Sequence, residues 1–248
     1  MATAGILAAV PLASAFDGSA YGASRSIKAI AFDAFPIFDV RAVFATVNDL
    51  FPGRSDGFRD LWLQKLFAYT WLRTSARRYA PFEDVIGESL DYAAGASGIS
   101  LTATQRDRLI GTFWMLPVWP DVPERVRALR AQGLRLAFVS NMSEAMMTAN
   151  MRHNGLASQF EATLSTDRVS AFKPAPESYA LAERELGLAT AEIGFAAFAA
   201  WDAAGASWYG FPTAWVNRLG QPPEAVGAPK VRSGRDLAVV ADLVHEYV

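Results

Sequence analysis

The sequence predicts an α/β protein: a parallel sheet with helices on both faces, and an all-helical unit inserted after the first strand. From Pro120 onward, short apolar strands alternate with helices, which is typical of a parallel sheet. Between Asp39 and Leu116, no run shows the period of two that a strand requires. We therefore expect a Rossmann-like core at 26–38 and 117–248, and an all-helical domain at 39–116.

The first strand is predicted at Ser26–Asp33, a short apolar stretch with two β-branched residues. It ends before Pro36, which cannot continue a central strand. The inserted domain is predicted to hold four helices. They are a helix that begins at Asp39 as its N-cap, followed by Asp60–Arg78, Phe82–Ala94 and Thr102–Met115.

From Val122 to Asn217, the sequence predicts helices that alternate with strands. The helices are Val122–Ala131, Ser143–His153, Pro176–Leu186 and Asp202–Tyr209. The strands are Leu134–Ser140, Phe160–Ser165, Ile193–Phe198 and Thr213–Asn217. A glycine follows each of the four helices, where a left-handed residue commonly ends a helix.

Composition excludes several classes of protein. Of the 248 residues, 52% are hydrophobic and 19% are charged, which excludes disorder as the main state. The net charge of −2, without a basic stripe, argues against a nucleic-acid partner. Cysteine is absent and only two histidines occur, so a Cys nucleophile and a Cys- or His-rich metal site are excluded.

The N-terminal 25 residues are left out of the fold prediction. No apolar run reaches the ~20 residues that a membrane span needs. Gly5–Leu12 followed by Ala13-Ser14-Ala15 is nevertheless typical of an export signal, although no basic residue precedes Arg25. Residues 1–25 are thus either an export-signal remnant or an Ala-rich extension, and the location is cytoplasmic or, with export, periplasmic.

Polar side chains stand where predicted strands end: Asp33, Ser140, Asn141, Lys173 and Asp202. The carboxyl ends of parallel strands meet at one edge of a sheet, so we expect these groups to converge. Such a set suits a carboxylate nucleophile. Asp33 would form a covalent ester, Lys173 would offset the two acids, and Asp202 would activate water. Ser140 and Asn141 would bind an anionic substrate or leaving group.

Each of these residues also has a purely structural interpretation. Asp33, Ser140 and Asp202 are compatible with helix caps or strand-end polar groups, and Lys173 with a surface lysine in a turn. Only their ordered combination favours catalysis.

The chain resembles the haloacid dehalogenase superfamily, and more closely its type II L-2-haloacid dehalogenases, over nearly all of residues 26–248. The matching stretches are IAFD at Ile30–Asp33, FDV at Phe38–Val40, YTWLR at Tyr69–Arg73, SN at Ser140-Asn141, FKP at Phe172–Pro174, WDAAGA at Trp201–Ala206 and GFPTAWVNR at Gly210–Arg218. In this resemblance the inserted helical domain corresponds to the family's cap domain.

The resemblance implies a function and site residues. The implied reaction is hydrolysis of short L-2-haloalkanoic acids or haloacetates through an ester on Asp33, without a metal or another cofactor. Arg73 matches a cap arginine that contacts the substrate and draws off the halide, Lys173 the motif lysine, and Asp202 the acid near the hydrolytic water. The resemblance implies a halide contact for Asn141 and a contact of Ser140 with the substrate carboxylate, and Tyr179 matches a family tyrosine six residues beyond the motif lysine. Ala34, Phe35 and Trp201 are further expected substrate-binding residues, Phe35 as aromatic bulk near the rim and Trp201 as a pocket wall that directly precedes Asp202. A small carboxylate is the implied partner, and a homodimer is possible.

Two stretches depart from the family pattern. Asp33 is followed by Ala34-Phe35-Pro36-Ile37-Phe38, where typical members carry Gly-Thr-Leu in a loop one residue longer. Ala197, Phe198 and Ala199 stand where typical members have Ser-Ser-Asn. The polar groups expected around the hydrolytic water are therefore replaced by apolar ones.

These departures keep three other functions open. One is a hydrolase that uses the same ester on a different leaving group, such as ring opening of azetidine-2-carboxylate. A phosphatase is disfavoured, because Phe35 stands where a second acid would protonate the leaving group. The third is a non-catalytic relic of the fold.

Overall fold

A parallel sheet forms the centre of the protein, which a computed structural model describes over residues 26–247. Its six strands in that range are β1 (Ala29–Phe32), β2 (Arg135–Ser140), β3 (Ala162–Ser165), β4 (Ile193–Ala197), β5 (Thr213–Val216) and β6 (Arg232–Gly234). Their order is β3-β2-β1-β4-β5-β6, and every neighbouring pair is parallel. The predicted α/β class is therefore confirmed. The N-terminal prediction lies outside the described residues.

The helices occur close to their predicted positions. They are α1 (Arg41–Leu50), α2 (Ser55–Ser75), α3 (Phe82–Ala96), α4 (Ala103–Thr112), α5 (Val122–Ala131), α6 (Glu144–His153), α7 (Pro176–Leu186), α8 (Ala200–Tyr209) and α9 (Ala238–Glu246). Thr102 caps α4 in a reciprocal capping box with Gln105, and the Ser143 hydroxyl caps α6. In residues 26–247, no helix is long and apolar enough to cross a membrane.

Two elements were not predicted. Strand β6 is three polar residues at the sheet edge and shows no apolar alternation. Helix α9 did carry a signal, because the spacing of its buried Val239, Val240, Leu243 and Val244 is helical.

Both faces of the sheet are buried. Along β1, Ile30 and Phe32 point into one apolar cluster, which α5, α6 and α9 cover. Ala29 and Ala31 point into a second cluster on the opposite face, which α7 and α8 cover. This alternation follows from the period of two along a strand.

The chain leaves the sheet layer before α1 and returns to it after α4 at the same place. Phe38 and Val118 form an isolated antiparallel bridge there. The Asp39 amide donates to the Pro117 carbonyl at 2.7 Å, and the Trp119 amide to the Ile37 carbonyl at 3.1 Å. The two connecting segments therefore run side by side directly beyond β1.

We expect Asn150→Ala to lower the free energy of unfolding by about 2–3 kcal/mol, because it leaves buried backbone groups unpaired. The Asn150 amide joins α6 to the chain returning from α4: it accepts from the Leu116 amide at 2.7 Å and donates to the Phe113 carbonyl at 2.9 Å. Urea denaturation measures the effect, with the exposed Gln132→Ala as control. Equal midpoints for the two variants would contradict this role.

Candidate active site

The carboxyl edge of the sheet brings four of the predicted polar residues together. Asp33 directly follows β1, and Ser140 is the last residue of the neighbouring β2. Lys173 lies in the segment between β3 and α7, and Asp202 lies in the first turn of α8, beyond β4. The prediction of convergence is therefore met for these residues.

The ammonium of Lys173 lies between two carboxylates. Its Nζ is 2.9 Å from Asp33 Oδ1 and 2.7 Å from Asp202 Oδ2. All three residues are buried, with Lys173 and Asp202 each only 1% exposed. Burying a charge is costly unless it is paired, so each of the three charges depends on the others.

Asp33 is held through both of its oxygens. Oδ1 accepts from Ser140 Oγ at 3.2 Å as well as from Lys173. Among the residues that the structure describes, Oδ2 accepts only the Phe35 backbone N–H, at 3.2 Å, and Asp33 is one of the residues that line a cavity. The orientation of the Asp33 carboxylate is thus fixed, and Oδ2 accepts fewer hydrogen bonds than Oδ1.

Burial, together with the nearby Asp33 charge, raises the pKa of Asp202 to about 6, against the opposing effect of Lys173. The Tyr179 hydroxyl donates to Asp202 Oδ1 at 2.8 Å, and its own pKa is raised well above its usual value by burial and by Asp202. Asp202 is thereby a buried carboxylate that titrates close to neutral pH, as a general base should.

The pKa of Lys173 is shifted upward. Burial lowers it, but the Coulomb attraction of Asp202 and Asp33 outweighs burial, and the net pKa lies above the usual 10.5. Lys173 therefore stays protonated at neutral pH and neutralises one of the two acids.

The cavity above these charges is small and mostly apolar. Its lining residues are Asp33, Phe35, Phe67, Phe82, Ser140, Asn141, Met142, Phe198, Ala199, Trp201 and Asp202. Its free volume is about 10 Å³, roughly what one water molecule needs. Phe67 and Phe82 lie on α2 and α3, and no sequence signal distinguishes them from ordinary core aromatics.

Asn141 and Trp201 reach this cavity as expected. The Asn141 Oδ1 accepts the Lys173 backbone N–H at 3.0 Å, whereas within residues 26–247 its buried Nδ2 has no acceptor. The Trp201 ring packs between Phe67 and Trp71 of α2, at centroid distances of 5.3 and 5.6 Å. The cavity thus offers one unused N–H donor beside an aromatic wall.

Three predicted site residues lie elsewhere. Arg73, at the end of α2, is paired with Glu88 of α3 and donates to the Arg78 carbonyl at 2.8 Å. Ala34 is buried, and its carbonyl accepts from the Ile37 and Phe38 amides, while Tyr179 lies beneath Asp202. Among the cavity-lining residues that the structure describes there is no arginine.

A metal site does not form in the described part of the chain. No group of three or more His, Asp or Glu side chains in residues 26–247 is placed to hold an ion. The position between the two carboxylates is taken by the Lys173 ammonium.

Comparison with known proteins gives consistent results. The family described as haloacid dehalogenase-like hydrolase matches residues 27–206. An (S)-2-haloacid dehalogenase of Pseudomonas sp. (strain YL) is 40% identical over 202 residues, which cover 81% of this chain and 87% of that protein.

Solved structures agree with the sequence comparison. The L-2-haloacid dehalogenase RSc1362 superimposes with a TM-score of 0.86 at 36% identity, over 89% of this chain and 99% of the other. The L-2-haloacid dehalogenase of Xanthobacter autotrophicus with covalently bound chloropropionic acid gives 0.80 at 30% identity, over 88% and 98% of the two chains.

We expect Asp33→Asn to lower the pKa of Asp202 below about 6, because the Asp33 charge is one of the causes that raise it. NMR of protein with ¹³C-labelled aspartate carboxyl carbons measures the titration, and Asp202→Asn identifies the resonance. An unchanged or higher pKa would contradict the coupling.

We expect Lys173→Met to lower the free energy of unfolding by about 3–5 kcal/mol at pH 8, because two buried carboxylates lose their counter-charge. Without the ammonium, the folded-state pKa of Asp202, which burial already raises to about 6, rises further above its unfolded value. An acid with a raised pKa destabilises the fold as pH increases, so the loss should be smaller at pH 5.

Denaturation at both pH values measures this difference. Lys28→Met is the matched control, because Lys28 forms an exposed pair with Glu192 and should contribute less than about 1 kcal/mol. A pH-independent loss for Lys173→Met would speak against buried charge as the cause.

Proposed function

Because the chain belongs to the haloacid dehalogenase-like hydrolases, we propose that it hydrolyses short L-2-haloalkanoic acids or haloacetates to 2-hydroxy acids and halide. The observation that carries the proposal is the buried Lys173 ammonium. It contacts the carboxylate of Asp33, which lines the cavity, and the carboxylate of Asp202. None of the relatives reported above is named for phosphate transfer or azetidine ring opening.

In the first step, Asp33 Oδ2 attacks C2 of the substrate. A C–O bond forms, and the carbon–halogen bond breaks with its electron pair leaving on the halide. Oδ2 is the candidate because Oδ1 is held by Lys173 and Ser140. In-line attack inverts the carbon and leaves an ester, which carries no charge on Asp33.

In the second step, water attacks the Asp33 carboxyl carbon and gives its proton to Asp202. The oxyanion develops on Oδ1, which lies 2.9 Å from the Lys173 ammonium, so a fixed cation stabilises it. The tetrahedral intermediate then collapses, the bond between the Asp33 carboxyl carbon and the substrate oxygen breaks, and the departing alkoxide takes the proton from Asp202. The second proton of the water leaves Asp33 to solvent as the carboxylate is restored. Loss of the Asp33 charge in the ester lowers the Asp202 pKa, which favours the ionised base.

The remaining residues are proposed to bind the substrate. Ser140 contacts the carboxylate, and the free Asn141 Nδ2 donates to the halide, while Phe35 and Trp201 form apolar walls. Tyr179 positions Asp202. Arg73 would contact the halide once its ion pair with Glu88 opens.

The proposal also covers the oligomeric state and the cellular location of the protein. The large exposed side chains of Leu72 and Met115 in the inserted segment support a homodimer. The enzyme would act in the cytoplasm, or in the periplasm if residues 1–15 direct export.

We expect halide release from chloroacetate or from the L-enantiomer of 2-chloropropanoate, and none from the D-enantiomer. Asp33→Asn should lower the rate more than about a thousandfold, because it removes the nucleophile. The exposed Asp91→Asn, away from the cavity, is the matched control. A halide assay reports turnover, and mass spectrometry reports alkylated Asp33.

Two outcomes would contradict this function. Absence of both halide release and alkylation would exclude the dehalogenase. One turnover that leaves a stable modified Asp33 would show that Asp202, surrounded by Ala197, Phe198 and Ala199, does not complete hydrolysis.

A further inference from the structure

Two phenylalanine rings form one wall of the cavity close to Asp33. Phe35 follows β1 and Phe198 follows β4, which are neighbouring strands, and their ring centroids lie 5.7 Å apart. Both rings line the cavity, together with Ala199 and Trp201. We refer to Phe35 and Phe198 as the phenylalanine pair.

The backbone of each member is fixed to the core. The Phe35 carbonyl accepts from the Trp119 indole N–H at 2.9 Å, and its amide donates to Asp33 Oδ2. The Phe198 carbonyl accepts from the Trp215 indole N–H at 3.0 Å, and Trp215 is a buried residue of β5. The phenylalanine pair is thus attached to the sheet layer.

The opposite wall belongs to the inserted helices. Phe67 lies on α2 and Phe82 on α3. A volume of about 10 Å³ is too small for any haloacid, so the cavity must open to admit substrate. Movement of α2 and α3 would open the side of the cavity that these helices line. The phenylalanine pair would then remain beside Asp33.

The strand order limits where a substituent on C2 can go. Ser140 ends β2 and Asn141 follows it, on one side of β1, whereas Phe198 follows β4, on the other. In-line attack by Asp33 directs the halogen away from its carboxylate. With the substrate carboxylate at Ser140, the two remaining positions on C2, for hydrogen and the alkyl group, both point away from β2, and a substituent directed toward the β4 side meets Phe198.

We propose that Phe198, supported by Phe35, limits the size of the C2 substituent that the site accepts. Haloacetates are then preferred over longer 2-haloalkanoates. This inference rests on the proposed function and narrows its substrate class. A methyl group that does not fit an apolar pocket changes specificity by about 10- to 200-fold.

The test compares kcat/KM for chloroacetate, L-2-chloropropanoate and L-2-chlorobutanoate. We expect the native protein to favour chloroacetate at least tenfold over the propanoate, and more over the butanoate. Phe198→Ala should reduce the preference at least tenfold, mainly by raising activity on the longer acids, and Phe198→Leu should lie between. Phe44→Ala, a half-buried phenylalanine on α1 outside the cavity, is the control.

A preference for the longer acids, or a ratio that Phe198→Ala leaves unchanged in a folded protein, would overturn the inference. Calorimetric binding of the products glycolate and D-2-hydroxybutanoate distinguishes failure of this inference from failure of the proposed function. If no halide is released but Phe198→Ala still shifts the ratio of their Kd values tenfold toward the larger acid, the proposed function fails and the size selection stands. If no halide is released and neither hydroxy acid binds to the native protein or to Phe198→Ala, both the proposed function and the size selection are overturned.

Discussion

The arrangement of this site depends on one buried cation between two buried anions. Lys173 contacts Asp33 and Asp202 at hydrogen-bond distance, in a place where water does not compensate the charges. Removing the cation would leave two buried carboxylates without a counter-charge in the interior. The same interaction orients Asp33 and connects Asp202 to it. Stability and chemistry therefore rest on one set of contacts.

The sheet provides the geometry for this ion cluster. Asp33 follows the central β1, with Ser140 on one neighbouring strand and the β4 loop on the other. Tyr179 of α7 fixes the far oxygen of Asp202, and the Asn141 side chain holds the Lys173 backbone. Each charged group is thus positioned by a different segment, and the parallel sheet brings these segments to one edge.

An apolar environment surrounds the cluster where polar groups were expected. Ala197 and Ala199 offer no side-chain hydrogen bond, and Phe198 stacks toward Phe35. A mostly apolar cavity strengthens the attraction between Lys173 and the developing oxyanion, which favours ester hydrolysis. It also leaves Asp202 to orient the water with fewer partners. The balance of these two effects sets the rate of the second step.

The sequence by itself determined the fold class, most of the helices and strands, and the residues of the ion cluster. Strand–helix alternation is a local pattern, and the polar residues at strand ends must share an edge once the sheet is parallel. The resemblance added Arg73 and Tyr179 to the expected site, and the structure does not place Arg73 among the residues that line the cavity. The partner of Arg73 is Glu88 on the next helix, and that pairing depends on how α2 packs on α3. In the same way, only the tertiary structure placed Phe67 and Phe82 in the same cavity as Asp33, because aromatic residues look alike in sequence whether they fill a core or line a cavity.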